Sequence, residues 1–305
     1  MRVVIAGGTG LLGGFLSRSL AADGHEVIVL SRNPARARTL PAGTRVVRWD
    51  GATAEHWGQW ADGADAIVNL AGASLASWPW TAAKKRLIRD SRLNAGNAIV
   101  QAVENAAQRP RVLVQASGIG YYGPHGDELV DEDDPPGSDF LARVAVDWEA
   151  STAAVESLGV RRAVIRTGAV LTTQGGALPA MMLPFRFFVG GPVGSGRQGL
   201  SWIHVGDEIG AIRFVIDRET AAGPFNLVSP QPATNAEFGK ALARTMHRPY
   251  FMPAPDFVLR LLLGELSSVV LEGQRAVPVR ITALGFTYRY PDVTSALKDL
   301  LGGKR

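Results

Sequence analysis

The chain has 305 residues, 46% hydrophobic and 20% charged, with a net charge of +4; this is a folded globular composition, long enough for one large α/β domain and a smaller lobe. It contains no cysteine, which excludes disulfides and thiol catalysis, and no basic run long enough for a nucleic-acid arm. No apolar stretch reaches spanning length and the first strand begins at Arg2, so neither a signal peptide nor a membrane anchor is expected and the cytoplasm is the expected location.

Arg2 to Ala6 is a short apolar run of the kind a buried parallel strand shows. It leads directly into Gly7-Gly8-Thr9-Gly10-Leu11-Leu12-Gly13, then a helix-like stretch from Phe15 to Ala22, then a second apolar run, Val27 to Leu30. This is a βαβ unit of about thirty residues. Its glycines fit both Gly8-x-Gly10-x-x-Gly13 and Gly7-x-x-Gly10-x-x-Gly13. The early glycines let the turn bring backbone N–H groups of the Gly7, Thr9, Gly10, Leu11 and Leu12 stretch against a pyrophosphate at the positive end of a helix, and Gly13 lets helix and strand pack closely. The pattern predicts dinucleotide binding.

The end of the second strand decides which dinucleotide. An NAD site places an acid there for the ribose hydroxyls. This chain has Ser31-Arg32-Asn33-Pro34, with no acid; Ser31 can hydrogen-bond a 2′-phosphate and the Arg32 guanidinium can pair and stack. NADP is therefore the expected cofactor. A third strand, Val46 to Asp50, ends in an acid with two open readings: Asp50 accepts from an adenine amino group, or it caps the next turn.

The fourth strand, Asp65 onward, runs into Leu70-Ala71-Gly72, small enough at its end for a cofactor backbone to approach. A long helix is predicted from Thr81 to Ala107. Within it, Arg92 is either solvated or turned towards a cofactor phosphate. The fifth strand, Arg111 to Ser117, brings Ser117 to the sheet edge where open α/β sheets bind ligands. The loop from Gly118 to Gly137 carries Tyr121-Tyr122 and the acidic run Asp131-Glu132-Asp133-Asp134, which reads as solvated. A helix from Phe140 to Leu158 precedes a sixth strand, Ala163 to Thr167, after which Gly168 and Ala169 are expected to offer backbone groups to the nicotinamide. The alternation predicts an α/β, Rossmann-type doubly wound parallel sheet.

Beyond Ala169 the regularity breaks. The Gly- and Phe-rich stretch from Gly175 to Gly199 reads as a lid, and strands at 202–205 and 225–228 flank a helix from Asp207 to Ile216. Helices at 235–246 and 256–271 and a strand at 286–290 complete a C-terminal lobe. The expected division is 1–168 for dinucleotide binding, with 200–229 returning to it, and 169–199 plus 230–305 as the smaller substrate-side lobe. Trp49, Trp57, Trp60, Trp78 and Trp80 read as packing residues.

Together, the glycine turn, Asn69-Leu70-Ala71-Gly72, Ser117 with Tyr121-Tyr122-Gly123, and His204-Val205-Gly206-Asp207 resemble the extended short-chain dehydrogenase/reductase superfamily. Ser91-Arg92, Trp148-Glu149, Gly190-Gly191-Pro192, Ser201-Trp202-Ile203-His204 and Thr234-Asn235-Ala236-Glu237-Phe238 are similar to its epimerase-family branch. Members of that branch are NAD-dependent epimerase/dehydratase-like, and are also labelled nucleoside-diphosphate-sugar epimerase or cell-division-inhibitor-like. The resemblance spans essentially the whole chain. It implies hydride transfer to or from a small polar, sugar-nucleotide-like substrate, and, by analogy, a homodimer formed through the helices after Ser91 and Phe140.

The resemblance also implies a catalytic set: a Ser or Thr that polarises the substrate oxygen, a Tyr acid/base, and a Lys four residues later that lowers the Tyr pKa. Ser117 fits the first role. Where Tyr-x-x-x-Lys should stand, the chain reads Asp139-Phe140-Leu141-Ala142-Arg143-Val144-Ala145, with neither phenol nor ammonium. Tyr121 and Tyr122 remain as candidate proton carriers, with pocket-shaping as their other reading, and His204 is a weaker candidate. No metal site is expected. Two functional readings stand: an NADP-dependent oxidoreductase or epimerase with unconventional acid/base chemistry, and an NADP-binding regulator without turnover.

Overall fold

The computed structural model describes residues 1–37, 40–75, 79–126 and 128–302; Trp78 lies outside the described residues. Seven parallel strands form the central sheet: β1 (Arg2–Ala6), β2 (Glu26–Ser31), β3 (Arg45–Arg48), β4 (Ala66–Asn69), β5 (Val112–Gly118), β6 (Arg161–Thr167) and β7 (Gly223–Leu227). Their order is β7-β6-β5-β4-β1-β2-β3. Strand order reverses between β1 and β4, and the crevice beyond the strand ends at such a point is where ligands bind in open α/β sheets. The expected doubly wound architecture is what the chain adopts.

Both faces of the sheet are covered, which is why its strands read as continuous apolar runs rather than alternating ones. Val3, Ile5, Val27 and Val29 face one layer with Leu16 and Leu20 of α1 (Leu11–Ala22), while Val4, Ala6, Ile28 and Leu30 face the other. That second layer is built on Ile99 and Val103 of α2 (Ala82–Asn105), against which α3 (Phe140–Ala150) packs. Trp49 and Trp57 meet edge to face within it, with ring centroids 5.8 Å apart.

The C-terminal lobe has its own core. Leu178, Met182 and Phe185 of α4 (Ala177–Arg186) pack with Trp202, with Phe238 and Leu242 of a helix at Asn235–Met246, and with Leu297 of a helix at Val293–Leu301. Between these segments, α5 (Val205–Asp217) packs against α1.

Four expectations are corrected. The segment at 202–205 does not rejoin the central sheet; Trp202–His204 pairs with Ala169–Leu171 as a separate two-stranded parallel ribbon. The helix expected over 140–158 ends at Ala150, and one 3-10 turn, Ala153–Val155, follows. The single helix expected over 256–271 is broken at Gly264, whose φ of +53° only glycine adopts easily, into Asp256–Leu263 and Ser267–Leu271. The 286–290 segment forms no strand. Asp207 takes the Arg289 and Tyr290 N–H groups at 2.9 and 3.0 Å, and Phe286 and Tyr288 meet edge to face against the core of the central sheet, so these aromatics pack instead of pairing as a strand. Among the described residues no helix is long and apolar enough to cross a membrane.

Candidate functional site

The glycine turn has the geometry a cradle needs. A Cβ at Gly7 (φ +79°) would lie 2.6 Å from the Leu70 carbonyl oxygen, so β1 and β4 can diverge here only with glycine. A Cβ at Gly13 would lie 2.4 Å from Gly8 Cα, which makes Gly13 the residue that lets α1 sit on the turn. Gly10 is the N-cap of α1 and brings no side-chain acceptor, and there is no acid in the first turn. The amides of Leu11, Leu12 and Gly13 therefore have no capping partner at the positive helix end, an arrangement that an anion would satisfy. Thr9 and Gly10 are exposed at this end, and Leu70, Ala71 and Gly72 border it.

At the end of β2, Ser31 is buried and accepts from the Asn33 N–H at 3.2 Å, while Arg32 is exposed and pairs with no carboxylate among the described residues. Asp50 follows its capping reading. Its carboxylate accepts from the Ala52 and Thr53 N–H groups at 2.8 and 2.9 Å and from the Thr53 hydroxyl at 2.9 Å. Partial burial works against its charge, but these bonds outweigh it and hold the carboxyl below its usual range.

Arg92 is not solvated. It is buried beneath the loop after β4, where a Cβ on Gly72 would lie 3.0 Å from its Cζ. It donates to the Ala73 and Ile88 carbonyls at 3.2 and 2.9 Å and lies 4.7 Å over the Trp148 ring. No carboxylate among the described residues pairs with it, and burial lowers its pKa to about 10. A buried cation with carbonyls but no counter-anion, at the edge of a cradle for phosphates, fits a nicotinamide dinucleotide.

At the carboxyl ends of β5, β6 and β7 stands a polar network that spacing alone does not announce. Register places Ser117 beside Arg166, and Arg166 beside Asn226. Ser117 Oγ donates to Glu149 Oε1 at 2.6 Å, and Arg166 grips both oxygens of Glu149 from Nε and Nη2 at 3.0 Å each. Arg166 Nη1 donates to the Tyr122 hydroxyl at 3.1 Å, which donates to Asn226 Oδ1 at 2.7 Å. Burial opposes the charge on Arg166, but its bidentate bond to Glu149 more than offsets this and raises its pKa.

This network redefines the three catalytic candidates. Ser117 is buried and its proton is committed to Glu149, so it can accept from a substrate hydroxyl but does not present a free donor. Tyr122 is wholly buried; burial pushes its phenol up to about 12 despite the neighbouring Arg166, and it acts as a strut. Tyr121 is half-buried, its ring 3.4 Å from the Arg166 guanidinium, and of the two phenols only it keeps an exposed edge. Phe140 and Leu141, the two positions at which the resemblance calls for a tyrosine, open α3, and the Phe140 ring meets Trp80 and Lys85.

Two further expectations change. The Gly168 and Ala169 N–H groups donate to the Leu227 and Ser201 carbonyls at 3.0 and 2.8 Å, which narrows the backbone groups expected to face a carboxamide to the carbonyls. Gly168 is glycine because a Cβ there would stand 2.7 Å from the Ser201 carbonyl oxygen. The acidic run is not all solvated: Glu132 is buried and accepts from the Asn226 N–H at 2.9 Å and from the Arg280 N–H at 3.3 Å, with burial raising its pKa. His204 caps α5 by accepting from the Gly206 N–H at 3.0 Å and stacks on Tyr290, a structural role.

Glu149, Arg166, Asn226 and the fully buried Glu208 escaped sequence reasoning. For Arg166 and Asn226 a signal existed, since a charged or amide residue inside an apolar parallel strand must find a buried partner.

Against known proteins, the model of the NAD dependent epimerase/dehydratase family matches residues 3–228, and that of a domain of unknown function, DUF1731, matches residues 254–300. The chain is 37% identical over 308 residues to the epimerase family protein YfhF of Bacillus subtilis (strain 168), covering 100% of this chain and 99% of that protein. It is 39% identical over 304 residues to the chloroplastic epimerase family protein SDR39U1 homolog of Arabidopsis thaliana, covering 99% and 87%. The crystal structure of human epimerase family protein SDR39U1 (isoform2) with NADPH matches with a TM-score of 0.87 at 34% identity, over 99% of this chain and 100% of that one. The Thermus thermophilus UDP-glucose 4-epimerase complex with NAD matches with a TM-score of 0.77 at 20% identity over 100% of both chains, a likeness of fold alone.

Proposed function

Because the chain belongs to the NAD dependent epimerase/dehydratase family, we propose that it binds NADP(H) and moves hydride between the nicotinamide and a small polar, sugar-nucleotide-like substrate. The observation that carries the cofactor half is Arg92, a buried guanidinium without a counter-anion under the loop after β4, taken with the uncapped amides at the start of α1. Ser31-Arg32 at the end of β2 supports the phosphorylated form, as does the NADPH held by the human relative. Bound in this cradle, the cofactor would supply hydride.

The chain's own residues do the rest. The Gly7 to Gly13 turn and Arg92 neutralise phosphates, and Arg32 selects the 2′-phosphate. Glu149, gripped by Arg166, takes the Ser117 hydroxyl proton in a hydrogen bond and so leaves the Ser117 oxygen as an acceptor for a substrate hydroxyl. Tyr121 is the phenol nearest to solvent for a returning proton.

A second reading is favoured by the sequestration of Ser117 and Tyr122 together with the phenylalanine at 140. On that reading the protein is an NADP-binding regulator without turnover. Incubation with NADPH and a panel of carbonyl compounds and nucleotide sugars separates the two. Turnover supports the first; none, with cofactor-dependent partner capture, supports the second.

Arg32→Asp is expected to weaken NADPH binding by about tenfold or more and to leave NADH binding unchanged or improved, as a carboxylate repels the 2′-phosphate. Calorimetry that finds NADPH affinity unaltered would remove Arg32 from the site. A cytoplasmic location and a homodimer belong to the same proposal. Helices α2 and α3, joined by the Arg89–Asp147 ion pair at 2.8 Å, still expose Leu87 and Val146. Sedimentation at micromolar concentration is expected to show a dimer that Leu87→Glu dissociates; a wild-type monomer refutes this interface.

A further inference from the structure

Two segments of the C-terminal lobe contain no acidic residue: 176–198, with Arg186 and Arg197, and 238–255, with Lys240, Arg244 and Arg248. The fold lays them side by side. Phe251 and Met252 donate their N–H groups to the Gly190 carbonyl at 2.8 and 3.0 Å, and Val193 bridges to Ala254. The Arg248 guanidinium lies 4.4 Å over the Phe188 ring.

Outside this seam stands a band of apolar side chains. Phe187 is 70% exposed, and Phe188, Val189 and Phe251 are also exposed. Phe257 (73%) and Leu261 (82%) continue the band one turn apart on the helix at Asp256–Leu263. Single exposed apolar residues are ordinary, but this many exposed aromatics on adjoining segments mark a contact surface. Beside it, Lys240, Arg244, His247, Arg248 and Tyr250 line an open cavity of about 430 Å³. The Arg244 and Arg248 donors on its rim, with no carboxylate in its lining, call for an acceptor that carries negative charge.

The charge pattern selects the occupant. A two-fold contact with another copy would set the same cations against themselves. An uncharged apolar partner would leave the donors unsatisfied. Of the nearby acids, Glu265 pairs with Lys85, Glu272 with Arg260, and Glu237 interacts with Lys240, while Asp256 is exposed at the start of the helix that bears Phe257; Arg244 and Arg248 are the cations of the face. A surface with phosphate oxygens outside and hydrocarbon beneath answers both halves of the patch.

We propose that this face docks on an anionic phospholipid surface, with a headgroup phosphate in the cavity at Arg244, Arg248 and Tyr250 and the Phe187, Phe188 and Phe257 rings at the headgroup–acyl boundary. The attachment lies in the plane of the interface. It goes beyond the hydride-transfer reading and does not depend on turnover.

The test is co-sedimentation of the full chain with vesicles of phosphatidylcholine alone and with vesicles in which about a quarter of it is phosphatidylglycerol. Partition into the anionic vesicles is expected to exceed that into neutral ones by at least about tenfold and to fall as salt is raised. Phe187→Glu/Phe257→Glu and Arg244→Glu/Arg248→Glu are each expected to lower it by about tenfold or more while NADPH binding and circular dichroism stay as in the wild type. Equal partition into both vesicles, none into either, or wild-type partition by both double variants overturns the proposal. So does binding to heparin or inorganic phosphate without vesicle binding, which would leave a simple anion site. A dimer dissolved by Phe187→Glu/Phe257→Glu, without vesicle binding, would assign the face to a second copy.

Discussion

Replacing Glu208 by glutamine is expected to stabilise the protein above neutral pH and to leave it almost unchanged in mild acid. Glu208 is wholly buried in α5; Oε1 accepts from the Thr167 hydroxyl at 2.9 Å and Oε2 has no partner. Burial pushes its carboxyl from 4.5 up to about 8, and the bond from Thr167 offsets only part of that. A folded-state pKa above the unfolded one means the folded protein binds the extra proton between those values, so stability falls as pH rises through that window. Below 4.5 both states are protonated and nothing is lost; above about 8 the full penalty applies. A shift of this size corresponds to roughly 5 kcal/mol at its limit. For a chain of this length that is on the order of 5–10 °C in Tm at high pH. Glu208→Gln keeps an acceptor for Thr167 and removes the ionisation. Thermal melts of both proteins at about pH 5 and about pH 9 should diverge at the higher value. Parallel curves would mean that Glu208 reaches water in the native state.

The second large effect has opposite signs with and without cofactor. Arg92→Met removes a buried cation that has carbonyl and aromatic neighbours but no anion. Replacing such a charge by an apolar side chain of similar length is often neutral or stabilising, so the apoprotein should keep or gain up to about 1 kcal/mol. NADPH affinity should fall by about thirtyfold, the worth of one desolvated charge-assisted bond of roughly 2 kcal/mol. Calorimetry and melts of the same preparations read both. Unchanged affinity would make Arg92 a pillar for the loop at Gly72 and Ala73, and a large apoprotein destabilisation would say the same.

The cradle was legible because nearly everything that makes it lies within one βαβ unit. Gly10 and Gly13 meet Gly7 and Gly8 across a single turn, and the Gly8 contact with Val29 lies within the same unit; only the Leu70 carbonyl that Gly7 faces comes from further along the chain. The family resemblance drew on the same glycines, and the whole-chain similarity to epimerase family proteins agrees with that family. The Arg32 and Arg92 readings were legible as chemistry but not as geometry. Nothing in the spacing of α2 says which face Arg92 takes until the loop at 72–73 closes over it.

The sheet, its parallel arrangement and its glycine turn are determined by sequence, because apolar runs of strand length and a glycine pattern are short-range signals. The fate of the catalytic candidates is not. Ser117 meets Glu149 and Arg166, and Tyr122 meets Asn226, only when β5, β6 and β7 align in register and α3 covers their ends. A hydroxyl's availability depends on where its proton goes, and that partner lies 32 residues away for Ser117 and 104 for Tyr122. The same holds for Glu208, which in sequence is one acid in a helix and in the fold is a carboxyl sealed from water, with Thr167 as its partner. Local patterning specifies backbone, and burial, which sets the chemistry of each side chain, is decided by the tertiary packing alone.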